Sequence, residues 1–117
     1  MGHVLARVKI SGPLGQEQVE LLVDTGATYT WISKDILERL GIKSKGTKAF
    51  RLMNHMIIEK EFGEALVEWN GETATTIVIF AEQADANVFG VYSLEGLALE
   101  VDPVVRELRK SKVQLAL

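Results

Sequence analysis

The sequence predicts an all-β fold with one or two short helices, arranged as a closed barrel or a sandwich. Apolar and polar residues alternate over residues 4–10, as in a strand with one buried face. Asn70-Gly71, which lies between two apolar runs, is a strong signal for a β-hairpin. The segment 73–80 that follows is rich in β-branched residues. Turn residues separate the other short apolar runs, which is typical of β proteins.

The first half of the chain combines strand patterns with one helix pattern. Residues 11–15 contain glycine and proline and predict a turn that joins two strands into a hairpin. Ser33 can cap a helix that Gly41 ends. The predicted elements are strands at 4–10, 18–23 and 30–32 and a helix at 33–40.

The second half is predicted to contain short strands and a late helix. Residues 43–49 are basic and are interpreted as a solvated loop that contains Lys43, Lys45 and Lys48. Asn54-His55 can form a hairpin tip, and Asp102-Pro103 is expected to end the helix. The predicted elements are strands at 49–53, 56–58, 67–69 and 73–80, a helix at 93–99 and an alternating segment at 113–117.

Composition limits the classes of function. The 117 residues suggest one domain over residues 1–117, and 47% of them are hydrophobic, which is enough for a core. The net charge of −3 and the lack of a basic stripe argue against nucleic acid. No cysteine is present, and no metal-ligand spacing occurs. Because there is neither a transmembrane-length apolar stretch nor a signal-peptide pattern, we expect a cytoplasmic protein without a membrane partner.

Asp24-Thr25-Gly26 is the most informative tripeptide of the chain. It directly follows the apolar run at residues 19–23. A carboxylate at the end of a buried strand is costly unless it is hydrogen-bonded, paired or protonated. We therefore expect the Thr25 hydroxyl and the backbone at Gly26 to hold Asp24. By itself, the tripeptide is more typical of an Asx-type turn after a strand than of a catalytic site.

The order of the motifs resembles that of the retropepsin-like aspartic proteases (clan AA). Residues 22–28, Leu-Val-Asp-Thr-Gly-Ala-Thr, are similar to the catalytic loop of that family. Val88-Phe89-Gly90 is similar to the family's second signature, which precedes its C-terminal helix. Residues 93–103 look like the small single-domain members found in prokaryotes. The resemblance implies a closed acid-protease barrel.

The resemblance also implies an aspartic endopeptidase whose catalytic residues are Asp24, Thr25 and Gly26. In this chemistry one carboxylate takes a proton from the attacking water, and a second, protonated carboxyl polarises the peptide carbonyl. Since the chain has a single Asp-Thr-Gly, the resemblance implies a homodimer in which two copies of Asp24 face each other on a two-fold axis. The family uses no cofactor, and its partner is a peptide or protein substrate.

Members of the family cover the substrate cleft with a hairpin, the flap. By position it corresponds to residues 51–58, and this flap lacks the glycine that is usual near the tip. Asn54 adopts a left-handed conformation more readily than His55 does. The resemblance implies the following substrate-binding residues: Ala27, Thr28, Met53, Asn54, His55 and Met56.

Other interpretations remain open at this point. The same dimer could be catalytically inactive and act as a peptide- or protein-binding module. A small β-barrel in which Asp24-Thr25-Gly26 is only a turn is a third hypothesis. A nucleotide-binding loop of the actin-like kinase type would need a much longer chain and a second phosphate loop. Trp31 and Trp69 are interpreted as core residues rather than as binding platforms.

Overall fold

The computed structural model describes residues 4–102 and 104–111. This part of the chain folds into nine strands and two helices of six residues each. No helix within it is long and apolar enough to cross a membrane. The elements in chain order are β1 (Leu5–Gly12), β2 (Gly15–Val23), β3 (Thr30–Ser33), α1 (Lys34–Arg39), β4 (Gly46–Arg51), β5 (Ile57–Trp69), β6 (Glu72–Ala81), β7 (Val88–Phe89), α2 (Val91–Gly96), β8 (Leu99–Asp102) and β9 (Glu107–Lys110).

Seven strands form one sheet in the order β1-β2-β7-β3-β6-β5-β4. β1 also pairs with β5, so the pairings run through six strands and return to β1, with β4 joined to β5. β8 and β9 form a separate antiparallel pair. The predicted all-β class with short helices is confirmed.

The β1–β2 hairpin shows how the alternating sequence builds the core. Ala6, Val8 and Ile10 are at most 2% exposed, whereas Leu5 is 57% exposed on the opposite face. Every residue of β1 pairs with β2, which confirms the predicted hairpin. The core continues through both helices and most of the other strands; its buried members also include Leu21, Ile32, Leu37, Leu40, Val67, Val78, Phe80, Phe89, Leu94 and Leu97.

β5 is a single strand of 13 residues. The predicted strands at 56–58 and 67–69 lie at its two ends, and Glu59, Glu61 and Glu64 between them occupy exposed positions of the same strand. It turns into β6 at Asn70 and Gly71, whose φ angles of 50° and 85° are those of a tight left-handed hairpin turn. This confirms the hairpin that the Asn-Gly pair predicted.

The predicted loop at 43–49 is partly wrong, because β4 begins at Gly46. All six residues of β4 pair with residues of β5. Backbone hydrogen bonds to a neighbouring strand do not depend on side-chain polarity, so a basic segment can be a strand when its partner is in place.

The helix predicted at 93–99 is displaced. α2 covers Val91–Gly96, and Ala98 with φ 56° then turns the chain out of the helix. Leu99 pairs with Lys110 in the β8–β9 sheet, so the helix ends well before Asp102. The predicted alternating segment at 113–117 lies outside the described residues.

Candidate active site

The loop that carries Asp24 crosses the end of β7. Its two flanking strands, β2 and β3, both pair with this two-residue strand: Leu22 pairs with Val88 in parallel, and Trp31 pairs with Val88 antiparallel. The loop must therefore pass over the carboxyl end of β7 to reach β3. This crossing brings the two predicted sequence signatures together in space.

The Asp24 carboxylate is held by backbone and remains open on one side. The Gly26 N–H donates to Asp24 Oδ1 at 2.9 Å, and the Asp24 N–H donates to the Phe89 carbonyl at 3.0 Å. Within the described residues, Asp24 Oδ2 and the Thr25 hydroxyl make no hydrogen bond. The expected support from Gly26 is thus present, whereas Thr25 is exposed and its hydroxyl makes no hydrogen bond to Asp24. The geometry is an Asx-type turn that leaves one carboxylate oxygen available.

Gly90 and the start of α2 support the loop from below. A Cβ at Gly90 would lie 2.3 Å from the Tyr29 carbonyl oxygen, so only glycine permits this close approach. The next two N–H groups bond to the loop: Val91 donates to the Ala27 carbonyl at 2.9 Å, and Tyr92 donates to the Thr28 carbonyl at 2.8 Å. The loop backbone is therefore fixed by hydrogen bonds at two successive residues, Ala27 and Thr28.

A buried cluster of hydroxyl groups ties the loop to the core. Ser93 Oγ lies 2.5 Å from Thr30 Oγ1 and 2.7 Å from Thr76 Oγ1, and all three residues are at most 2% exposed. The Gly90 N–H donates to Thr30 Oγ1 at 3.1 Å. These bonds join β3, β6 and α2 directly beneath the Asp24 loop.

A cleft of about 580 Å³ opens in front of Asp24. This volume is within the usual range of ligand sites. Of the predicted substrate-binding residues, Ala27, Thr28 and Met53 line the cleft, whereas Asn54, His55 and Met56 do not. The cleft is lined, besides these and Asp24, by Gly26, Tyr29, Trp31, Phe50, Arg51, Leu52, Ile58, Ala84, Asp85, Ala86 and Val88.

The β4–β5 hairpin stands over one side of the cleft, and its tip has a defined turn. The His55 N–H donates to the Leu52 carbonyl at 2.9 Å, and the Leu52 N–H donates to the Met56 carbonyl at 2.8 Å. Asn54 Oδ1 accepts from the Met56 N–H at 3.1 Å. His55 has φ 69°, so the histidine, and not Asn54, adopts the left-handed conformation. The predicted hairpin tip is confirmed, with Met53 fully exposed at its end.

Sequence reasoning missed an aromatic wall of the cleft. Trp31 was expected in the core, but it is half-buried and its ring lies 5.0 Å from that of Phe50. Tyr29 packs edge-on to Phe50, with ring centroids 6.4 Å apart. The alternation in β3 was the available signal, because Thr30 and Ile32 face the core and Trp31 must then face the other way. Trp69 does pack against the core, as expected.

Lys48 also departs from its predicted place in a solvated loop. It lies in β4 and is half-buried, and its Nζ is 4.5 Å from the Phe62 ring centroid and 5.2 Å from that of Tyr29. Aromatic ring faces attract cations. Its ammonium group is thus accommodated by rings rather than by a carboxylate.

An ion pair adjoins the cleft. Lys60 Nζ lies 2.6 Å from Asp85 Oδ2, which also accepts from the Glu82 N–H at 2.9 Å. Burial acts to raise the pKa of the Asp85 carboxyl, but the hydrogen bonds from Lys60 and from the Glu82 backbone outweigh it, so the pKa lies below its ordinary value. Asp85 is therefore charged near neutral pH.

The described residues contain no group of three or more His, Cys, Asp or Glu side chains that could hold a metal ion. The Asp24 carboxylate lines the cleft, on a loop that the Val88-Phe89-Gly90 signature supports. This fold and this site define a retropepsin-like aspartic protease domain.

A family model agrees with this assignment. The model described as "gag-polyprotein putative aspartyl protease" matches residues 7–95, and the chain belongs to this family. No curated protein matches the chain in a sequence search. The β8–β9 hairpin lies beyond the matched residues.

Proposed function

We propose that the protein is an aspartic endopeptidase that acts as a homodimer, with the two Asp24 carboxyls sharing one active site. The observation that carries the proposal is the state of the Asp24 side chain. One oxygen is fixed by the Gly26 N–H, the other has no hydrogen-bond partner among the described residues, and Asp24 lines the cleft. A fixed but open carboxylate is suited to proton transfer with a bound water.

A second carboxyl is needed because one group cannot be base and acid at once. Two carboxyls in close contact hold one proton between them, since the second charge is disfavoured. The ionised carboxylate removes a proton from water as its oxygen attacks the peptide carbonyl. The protonated carboxyl donates to the carbonyl oxygen, and a proton then passes to the leaving amine. The exposed Thr25 and Gly26 leave the loop accessible to a second copy.

The cleft suits an extended peptide. It is mainly apolar and aromatic, and it runs between the Asp24 loop and the β4–β5 hairpin. An extended substrate can add as a strand beside such a hairpin, with its alternate side chains in the cleft. The exposed Met53 and Met56 at the tip provide flexible apolar surface for a substrate or a second hairpin.

The proposal predicts that Asp24→Asn abolishes cleavage. A peptide library incubated with the wild type at mildly acid pH is expected to be cut, and the variant should be slower by at least about 10³-fold, because both the base and the shared proton are lost. Asp35→Asn, which neutralises an exposed carboxylate of α1, is the matched control and should cut like the wild type. Mass spectrometry of the peptide products measures the cleavage rates of the two variants and of the wild type.

Mixing the two chains tests the shared site. Excess Asp24→Asn protein added to a fixed amount of wild type should lower cleavage, because mixed dimers carry only one aspartate. Cleavage by Asp24→Asn at the wild-type rate, or a strictly monomeric wild type in sedimentation at high concentration, contradicts the mechanism. If neither chain cuts but both bind peptides, the binding-module alternative holds instead.

A further inference from the structure

We infer that Lys60 and Asp85 form a positioning pair that fixes the β4–β5 hairpin to the loop at residues 82–87 and so sets the width of the substrate cleft. The inference rests on the proposed function for its substrate. It assigns a role in substrate binding to two residues that do not take part in the chemistry.

The pair joins two separate walls of the cleft. Lys60 follows Ile58 by two residues on the same face of β5, and Ile58 lines the cleft. Asp85 lines the cleft between Ala84 and Ala86, on the loop that joins β6 to β7. The contact of 2.6 Å between Lys60 and Asp85 therefore spans from the hairpin to this loop.

The contact is the most enclosed ion pair within the described residues. The side chains of Lys60 and Asp85 are 16% and 19% exposed. By contrast, the ion pair of Lys45, which directly precedes β4, with Glu64 of β5 has side chains that are 56% and 52% exposed. Solvent screens an exposed pair and leaves it little net energy. An enclosed pair is screened less, and breaking it leaves an uncompensated charge.

Asp85 also shapes its own loop. Its carboxylate accepts from the Glu82 N–H, and its N–H donates to the Glu82 carbonyl at 3.0 Å. The same side chain thus closes the turn at 82–85 and holds the hairpin. Moving the Lys60 ammonium would shift the carboxylate and, with it, the cleft-lining residues Ala84 and Ala86.

The Asp85 carboxylate also offsets a repulsion between two lysines of the hairpin. Lys60 lies directly opposite Lys48 in the β4–β5 pairing. Like charges at opposed positions of a sheet repel each other. Lys48 lies over the rings of Tyr29 and Phe62, and Asp85 neutralises Lys60. The Lys60–Asp85 ion pair therefore allows both lysines to lie on the same face of the hairpin.

The test is Lys60→Met, which keeps a long side chain and removes its charge. We expect the KM for peptide cleavage to rise roughly tenfold and kcat to change less than twofold. The reason is that displacement of the loop at residues 82–87 weakens substrate binding but leaves Asp24 in place. Lys60→Arg, which can still pair with Asp85, should restore the wild-type KM. Lys45→Met, which breaks the exposed pair of the same hairpin, should leave KM unchanged.

A second measurement separates this inference from the proposed function. In the Asp24→Asn background, the tightest-binding peptide from a display library should show a Kd about tenfold higher when Lys60→Met is added. If the wild type cuts nothing but this Kd rises, the inference stands without the protease. If the wild type cuts and both KM and Kd are unchanged in Lys60→Met, the inference is wrong and the protease proposal stands. Should Lys60→Met fail to fold, Asp85→Asn, which keeps an acceptor for the Glu82 N–H, replaces it with the same expected rise.

Discussion

The Asp24 loop and the tip of the β4–β5 hairpin face the same cleft but are held in opposite ways. The loop is bonded to its surroundings at Asp24, Ala27 and Thr28, in each case to residues 89–92. The hairpin tip is held by bonds among its own residues, Leu52 to Met56, and its apolar side chains are exposed. One region is fixed by buried elements far away in sequence, and the other by local turn geometry.

The difference follows from what each region must do in the proposed function. A carboxylate in proton transfer needs a fixed position, which distant buried contacts provide. A hairpin tip that admits and covers a peptide needs to move, even where the base of the hairpin is fixed, and such regions have few buried contacts. Changes beneath the loop should therefore cost far more than changes at the tip.

The largest effect is expected at Gly90. Gly90→Ala would place a methyl group 2.3 Å from the Tyr29 carbonyl oxygen, so the loop or α2 must move. We expect a loss of about 3 kcal/mol or more in the free energy of unfolding, because the atoms met are backbone atoms of Tyr29 and Ala27, which cannot rotate away as a side chain can. Urea unfolding measures the loss, and hydrogen exchange at the Val91 and Tyr92 amides should show faster exchange.

Gly96→Ala is the control for this change. It adds the same methyl group at the end of the same helix, 3.5 Å from the Ala74 Cβ, which is ordinary contact. The free energy of unfolding should be unchanged or rise by about 0.5 kcal/mol, since alanine favours a helix over glycine. If Gly90→Ala is as stable as Gly96→Ala, the close packing of α2 under the loop does not fix Asp24.

An intermediate effect is expected at Ser93. Ser93→Ala removes the hydroxyl between Thr30 and Thr76 and leaves both without that partner in the core. We expect a loss of about 1–3 kcal/mol in the free energy of unfolding, which is the cost of unsatisfied buried polar groups. Thermal or urea unfolding measures it.

Ser33→Ala is the matched control for Ser93→Ala. Ser33 occupies the N-cap position of α1 but makes no side-chain capping hydrogen bond. Removal of the Ser33 hydroxyl should change the free energy of unfolding by less than about 0.5 kcal/mol. Equal losses in the two variants would mean that the hydroxyl cluster does not support the loop.

The smallest effect is expected at the hairpin tip. His55→Gly removes the strain of a left-handed histidine, φ 69°, and should raise the free energy of unfolding by roughly 0.5–1 kcal/mol. Asn54→Gly should lower it by a similar amount, because it removes the acceptor of the Met56 N–H. Urea titrations of the two variants should differ in sign, and a destabilised His55→Gly would contradict the assignment of strain to this residue.

Much of the fold could be predicted because its signals are local. The alternation in β1 and the Asn70-Gly71 turn each act within a few residues, and both predictions are confirmed. β4 and α2 were misplaced for a physical reason. The basic residues of β4 form a strand only beside β5, and the chain leaves α2 at Ala98 to pair β8 with β9.

The candidate site divides in the same way. Asp24 and Gly26 could be predicted from the sequence. A carboxylate at the end of a buried strand is energetically costly unless it is hydrogen-bonded, and a glycine after an apolar run marks a turn. The alternation in β3 could have placed Trp31 away from the core, but its contact with Phe50 could not be predicted, since the two rings come from β3 and β4 and meet only in the folded chain. The Lys60–Asp85 contact joins residues 25 positions apart, and neither side chain is distinctive in the sequence.

The sequence by itself determined the strands of the first hairpin, the carboxylate that ends β2, and the resemblance to a protease family that the family match confirms. The strands follow from the alternation of apolar and polar residues, and the other two features follow from a carboxylate and glycines at positions where they mark a turn or a site. Only the tertiary structure decided that the Phe89 carbonyl, and not the Thr25 hydroxyl, joins Gly26 in holding Asp24, which rings line its cleft and which residue takes the left-handed turn at the hairpin tip. Those outcomes depend on distances between elements that are far apart in the chain, because packing and long-range hydrogen bonds select among local conformations of nearly equal energy.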